Sequence, residues 1–178
     1  MRSSDNLTVG VLGLGHWGPN VVRCLANHSR VRLKYVCDTR AEAFARTEGL
    51  IPSDCLETGI PDDVFADPEV DAIFVVTPAS THHALVKQAL LAGKHVFCEK
   101  PLTLDVEEAE ELCELADQND RKLVVGFTFL FNDGIKKLKS FYEMGDLGSI
   151  YYLTSVRTHM GPVRSDVDVI WDLSPHDI

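Results

Sequence analysis

Gly13, Gly15 and Gly18 stand in the pattern G-x-G-x-x-G within GLGHWG, directly behind the run VGVL. Glycines at that spacing do one recognisable piece of chemistry, which is to let a backbone wrap the diphosphate of a dinucleotide. Gly13 permits the tight turn, Gly15 lets the main chain approach the pyrophosphate, and Gly18 lets a helix pack closely on the strand. The N–H groups around His16, Trp17 and Gly18 then face the anion at a helix N-terminus, where the dipole favours negative charge. Asp38 lies twenty positions past Gly18, at the end of the next apolar segment. An acid there accepts hydrogen bonds from the adenosine ribose hydroxyls. Its charge repels a 2′-phosphate, so NAD is expected over NADP, while the nearby Arg40 leaves NADP open. The plainer alternatives are a glycine turn that only packs a helix and a surface acid at a strand end.

These residues need a strand–turn–helix frame, and the hydrophobic pattern supplies one. Strands are expected at 7–12, 32–37, 72–76, 95–98 and 123–127. Helices are expected at 19–27, 41–48, 82–92, 105–119 and 134–144, with turns and a short strand in 49–60. Pro19 suits a first helical turn, and Gly93 suits a C-terminal cap. The run AIFVV is continuously apolar, as in a parallel sheet covered on both faces. In the helix at 105–119, Val106, Ala109, Leu112, Cys113 and Ala116 form the apolar face. Strand and helix alternate through about residue 144, which specifies an α/β fold with a doubly wound parallel sheet. The character changes at GDLG, residues 145–148. A new strand is expected over 150–157, and WDLSPHDI reads as the start of a helix. Residues 1–127 are assigned to a nucleotide-binding domain and 128–178 to the beginning of a second α/β domain.

Composition removes several classes of function. The net charge is −10, from 27 acids against 17 bases, which disfavours nucleic acid and anionic membrane as partners. No run approaches the ~18 apolar residues of a membrane span, and MRSSDNL carries no secretory apolar segment. The five cysteines are scattered with no C-x-x-C pair. Reduced thiols in a cytoplasmic protein are expected, with no metal site.

The segments GLGHWG, VVTPASTH, AGKHVFCEKPLT and WDLSPHD follow one another in that order. Together they resemble the Gfo/Idh/MocA oxidoreductases, relatives of glucose–fructose oxidoreductase and inositol dehydrogenase, over the whole chain. The resemblance implies a Rossmann domain followed by an open-sheet domain that closes the substrate pocket and mediates assembly. It implies hydride transfer between a nicotinamide cofactor and a carbinol carbon of a sugar, nucleotide sugar or cyclic polyol, in a protein that is homo-oligomeric at full length. The alternative is an NAD(P)-binding sensor or cofactor-binding fragment without turnover, since the open-sheet domain is here only begun.

The resemblance also assigns residues. Lys100 matches the lysine of the E-K-P motif, whose ammonium hydrogen-bonds the substrate oxygen as charge develops. Glu99 sits beside the nicotinamide ribose, and a cis bond is expected between Lys100 and Pro101. Thr77, Pro78 and His82 match T-P-x-x-x-H, which borders the cofactor. His83 reads as an ordinary helix N-terminal residue. Asp172 and His176 match D-x-x-x-H, with His176 as general base and Asp172 orienting it. Pro175 requires the helix to begin near Asp172. Alternatively Ser174 caps it with Asp177 completing a capping box, which leaves His176 a capping or surface residue. Asn132, Arg157 and Arg164 are further candidate substrate contacts. WDLSPHD and VRSDVDVI look most like members acting on nucleotide sugars or bacterial polysaccharide precursors.

Overall fold

Leu7–Leu12 forms β1, and its last four residues are buried. The turn at 13–17 leads into α1 (Gly18–Ala26), with Pro19 in its first turn. There follow β2 (Val31–Cys37), a 3-10 helix (Ala41–Thr47), β3 (Leu56–Thr58), α2 (Pro61–Ala66) and β4 (Ala72–Val75). Then come α3 (His82–Leu91), β5 (His95–Cys98), α4 (Val106–Gln118) and β6 (Leu123–Val125). A computed structural model describes residues 6–156 and 167–174 of the chain. The chain divides into two compact units between Val125 and Gly126.

In the first unit all six strands run parallel in the order β3-β2-β1-β4-β5-β6. Parallel neighbours need helical crossovers, and those helices cover both faces. One core cluster packs Val64 and Phe65 of α2, Val86 and Leu90 of α3 and Leu112 of α4 against Ile73, Val75 and Val96. The other packs Val22 and Leu25 of α1 and Ala43 against Val9, Val11 and Val36. Each such side chain contributes roughly 1.5–3 kcal/mol when fully buried.

The strand ends are level. Cys37 pairs with Leu12, Leu12 with Val75 and Val75 with Cys98. One residue further, Gly13 N–H donates to Cys37 O at 2.8 Å, Val76 N–H to Leu12 O at 2.8 Å and Glu99 N–H to Val75 O at 2.9 Å. Four loops therefore leave the sheet from one row. The row is three inter-strand spacings wide, about 14 Å.

In the α4 helix the buried positions are Leu112 and Ala116, whereas Val106 and Cys113 are exposed. Val106 sits in the first turn, capped by Asp105, where the helix end stands in solvent. The short helix expected over 41–48 is a 3-10 helix, Ala41–Thr47.

The second unit contains a 3-10 turn (Thr128–Phe131), α5 (Asp133–Glu143) and α6 (Val169–Leu173). The strand expected over 150–157 is not formed through residue 156, because no described residue offers that segment a ladder. α6 is capped by Asp168, whose carboxylate accepts the N–H groups of Ile170 at 2.9 Å and Trp171 at 3.0 Å. The helix thus begins before Asp172, not at it. Ser174 follows the helix and donates to Ile170 O, while Asp177, the partner expected for a capping box, lies outside the described residues.

Candidate cofactor site

The glycine loop lies between β1 and α1, beside the switch point where the chain order turns from β1 to β4. Ligands of open α/β sheets bind in the crevice at such a point. Gly13 has φ +96°, and a Cβ there would meet Val76 C and O at 2.7 Å and Thr77 N at 2.8 Å. A Cβ on Gly18 would collide with Gly13 O. Gly15 differs, since a Cβ on it would meet nothing within 4 Å. Its lack of a side chain serves no packing within the protein, and it leaves the main chain open to approach. Among the described residues, no protein acceptor takes the N–H groups of Gly15, His16, Trp17 or Gly18. His16 and Trp17 are exposed and Gly18 is buried. Orphan amides at the start of a nine-residue helix, next to open space, fit a diphosphate.

Asp38 is the first residue after β2 and is buried. Its Oδ2 accepts Leu14 N–H at 2.8 Å and Arg40 Nη2 at 3.0 Å. Its Oδ1 accepts Arg40 N–H and Nε, each at 3.0 Å. Burial works to raise its pKa, but the Arg40 guanidinium and the two backbone N–H groups outweigh it and hold the carboxyl below its ordinary range. The acid thus ties the glycine loop to β2 at one end of the row. Nothing in the spacing of Leu14 and Asp38 signals that bond; it appears only once β1 and β2 are paired.

Thr77 follows β4, half-buried, and its hydroxyl accepts that of Thr81 at 2.7 Å. Pro78 is exposed beside it. His82 opens α3 and is only 1% exposed. Its Nδ1 lies 2.7 Å from Pro101 O and its Nε2 2.8 Å from Thr77 O. Both ring nitrogens are therefore engaged by backbone, so the ring braces the loops that border the crevice rather than facing into it. His83, by contrast, is a surface residue whose Nε2 lies 2.7 Å from Glu111.

Glu99 and Lys100 follow β5, both half-buried, and the Lys100–Pro101 bond is cis. Burial raises the Glu99 pKa above the usual carboxylate range. The Lys100 N–H at 3.2 Å, the Lys100 charge and the Trp17 indole N–H pull it back only in part. Trp17 belongs to the glycine loop, so the segments that follow β1 and β5 meet at this carboxylate.

Of the remaining candidates, Asp172 lies within α6. Asn132 caps α5, its Oδ1 accepting Ile135 N–H at 3.2 Å. His176, Arg157 and Arg164 lie outside the described residues. Among the described residues no cluster of His, Cys, Asp and Glu could hold a metal, and no helix is long and apolar enough to cross a membrane.

The family model for the NAD-binding Rossmann fold of the Gfo/Idh/MocA oxidoreductases matches residues 7–127. The chain belongs to the Gfo/Idh/MocA family. It is 35% identical to UDP-N-acetylglucosamine 3-dehydrogenase of Acidithiobacillus ferrooxidans over 97% of the chain and 52% of that protein. It is 34% identical to inositol 2-dehydrogenase of Rhodococcus jostii over 84% of the chain and 41% of that protein. Among solved structures it resembles scyllo-inositol dehydrogenase of Lactobacillus casei with bound NAD(H) and scyllo-inositol. There the TM-score is 0.73 at 28% identity, covering 80% of the chain and 42% of the other. The chain thus spans about half the length, or less, of these Gfo/Idh/MocA relatives.

Proposed function

We propose that the chain carries the cofactor half of an NAD-dependent oxidoreductase acting at a carbinol carbon of a sugar, nucleotide sugar or cyclic polyol. The observation that carries this reading is the level row of strand ends. It supports one ligand reaching from Asp38, past the free amides at 15–18, to Lys100. The bound nicotinamide supplies a hydride acceptor or donor. The chain's own residues do the rest. Gly15 to Gly18 hold the diphosphate, and Asp38 with Arg40 holds the adenosine ribose. Thr77 and Pro78 border the nicotinamide half. Lys100 donates a charge-assisted hydrogen bond to the substrate oxygen. His176 takes the hydroxyl proton, with Asp172 orienting it. Arg40 also offers donors to a 2′-phosphate, so NADP is a second cofactor to test. The relatives named above favour inositols and UDP-N-acetylglucosamine as first substrates to try.

The test is calorimetric titration with NAD and NADP, then reduced-nicotinamide absorbance against a panel of inositols and nucleotide sugars, in the chain and in a longer protein that carries the sheet domain. Lys100→Ala in the longer protein is expected to abolish turnover while NAD affinity stays nearly intact. Unchanged turnover removes Lys100 from the reaction. Cofactor binding with no turnover on any panel member favours a binding module.

A further inference from the structure

The ladder between β4 and β5 ends at Val75 and Cys98, with one last bond from Glu99 N–H to Val75 O. Beyond it the two loops run on without strand pairing, yet they carry Thr77 on one side and Lys100 on the other. A single buried imidazole spans them, 2.8 Å from Thr77 O and 2.7 Å from Pro101 O. Both partners are carbonyl oxygens, which only accept. For both contacts to be bonds each ring nitrogen must donate, and only the imidazolium has two N–H groups. Burial and the positive end of α3 oppose that charge. Two short charge-assisted bonds favour it. The charged groups on the surrounding elements are Glu99 and Lys100 on the E-K-P turn, and His83, Lys87, Asp105, Glu108 and Glu111 along the α3–α4 seam.

We propose that His82 is a positioning residue for the nicotinamide half of the site. As a two-donor imidazolium it locks the Thr77 and Pro101 carbonyls in one frame and so fixes Glu99 and Lys100, which precede Pro101. This rests on the reading of the crevice as a dinucleotide site. It distinguishes the two halves of that site: Leu14 and Asp38 are joined by a bond that does not involve His82, whereas the Thr77 and Pro101 carbonyls flanking the nicotinamide half are bridged by it.

The experiment compares NADH with ADP-ribose, which lacks the nicotinamide, on the wild-type chain and His82→Gln. ADP-ribose is expected to bind the variant within about twofold of wild type. The ratio of ADP-ribose to NADH dissociation constants is expected to fall about tenfold, about 1.4 kcal/mol. A purely structural loss weakens both ligands together and leaves the ratio unchanged, and that result overturns the proposal. Wild type binding neither ligand removes the dinucleotide reading itself and the proposal with it. If the variant does not fold, ring-nitrogen NMR on wild type decides. Two protonated nitrogens for His82 at neutral pH support the clamp, and one bare nitrogen overturns it.

Discussion

Leu14 N–H and Asp38 Oδ2 lie 2.8 Å apart, so the acid proposed to hold the adenosine ribose also anchors the glycine loop. Asp38→Ala is expected to lose both functions. Leaving Leu14 N–H unpaired costs about 1–3 kcal/mol, seen as a lower Tm, and NAD affinity falls at least about tenfold by calorimetry. The folded carboxyl titrates below its unfolded value, so its stabilisation is complete above the unfolded pKa of about 3.9 and disappears as pH falls through the folded pKa. Wild type should therefore lose its advantage over Asp38→Ala only below about pH 4. An advantage that vanishes near neutrality contradicts this.

Gly13 and Gly15 make an opposed pair. Gly13→Ala places a methyl against the Val76 carbonyl and forces an L-residue to φ +96°. The expected loss is about 2 kcal/mol or more, measured by denaturant unfolding. Gly15→Ala meets open space, so Tm should stay within about 1 °C of wild type while NAD affinity drops more than about tenfold. Undiminished affinity in Gly15→Ala would show that nothing approaches that backbone.

Glu99 should trade stability for function. Its pKa is raised by burial, so the unliganded fold is penalised as pH rises through the unfolded value towards the folded one, and the penalty is complete above it. Glu99→Gln removes the charge and should raise the Tm of the unliganded chain by about 2 °C at pH 7. The gain should shrink at pH 4. A lower Tm at neutral pH would mean the ionised form is favoured in the fold.

Lys94 is buried, and its ammonium donates to Asp67 O at 2.6 Å and Val70 O at 2.8 Å in the turn leading into β4. Lys94→Met keeps the length and strands both carbonyls. A loss of about 2 to 4 kcal/mol is expected, with the NAD dissociation constant of the folded fraction unchanged.

Cysteine reactivity should report the fold directly. Burial pushes the Cys37 thiol up to about 12 and the Cys98 thiol higher still, whereas Cys24 and Cys113 are exposed. Brief iodoacetamide treatment should modify Cys24 and Cys113 and spare Cys37 and Cys98 by peptide mass spectrometry.

What could be read from the amino-acid order was whatever depends on near neighbours. AIFVV and HVFC declare buried strands by themselves, and GLGHWG declares its turn because glycine is needed for backbone reasons. The six-residue α2 escaped notice, since Val64 and Phe65 are too few to show a period. The buried face of α4 is narrower than its apolar pattern, because Val106 and Cys113 both stand in solvent. The least legible features are contacts across loops. His82 meets a carbonyl nineteen residues away, and Asp38 meets an amide twenty-four residues back. Neither distance leaves a trace in residue type. His82 and Asp38 are recognisable as motif positions, but the work each does inside the protein depends on strand pairing that brings remote segments level.

The level row from Cys37 through Leu12 and Val75 to Cys98 acts as a ruler. Its length is set by hydrogen bonds between core strands and not by the loops that grow from it. Insertions or substitutions in those loops can reshape what is recognised at either end without altering how far apart the two ends stand.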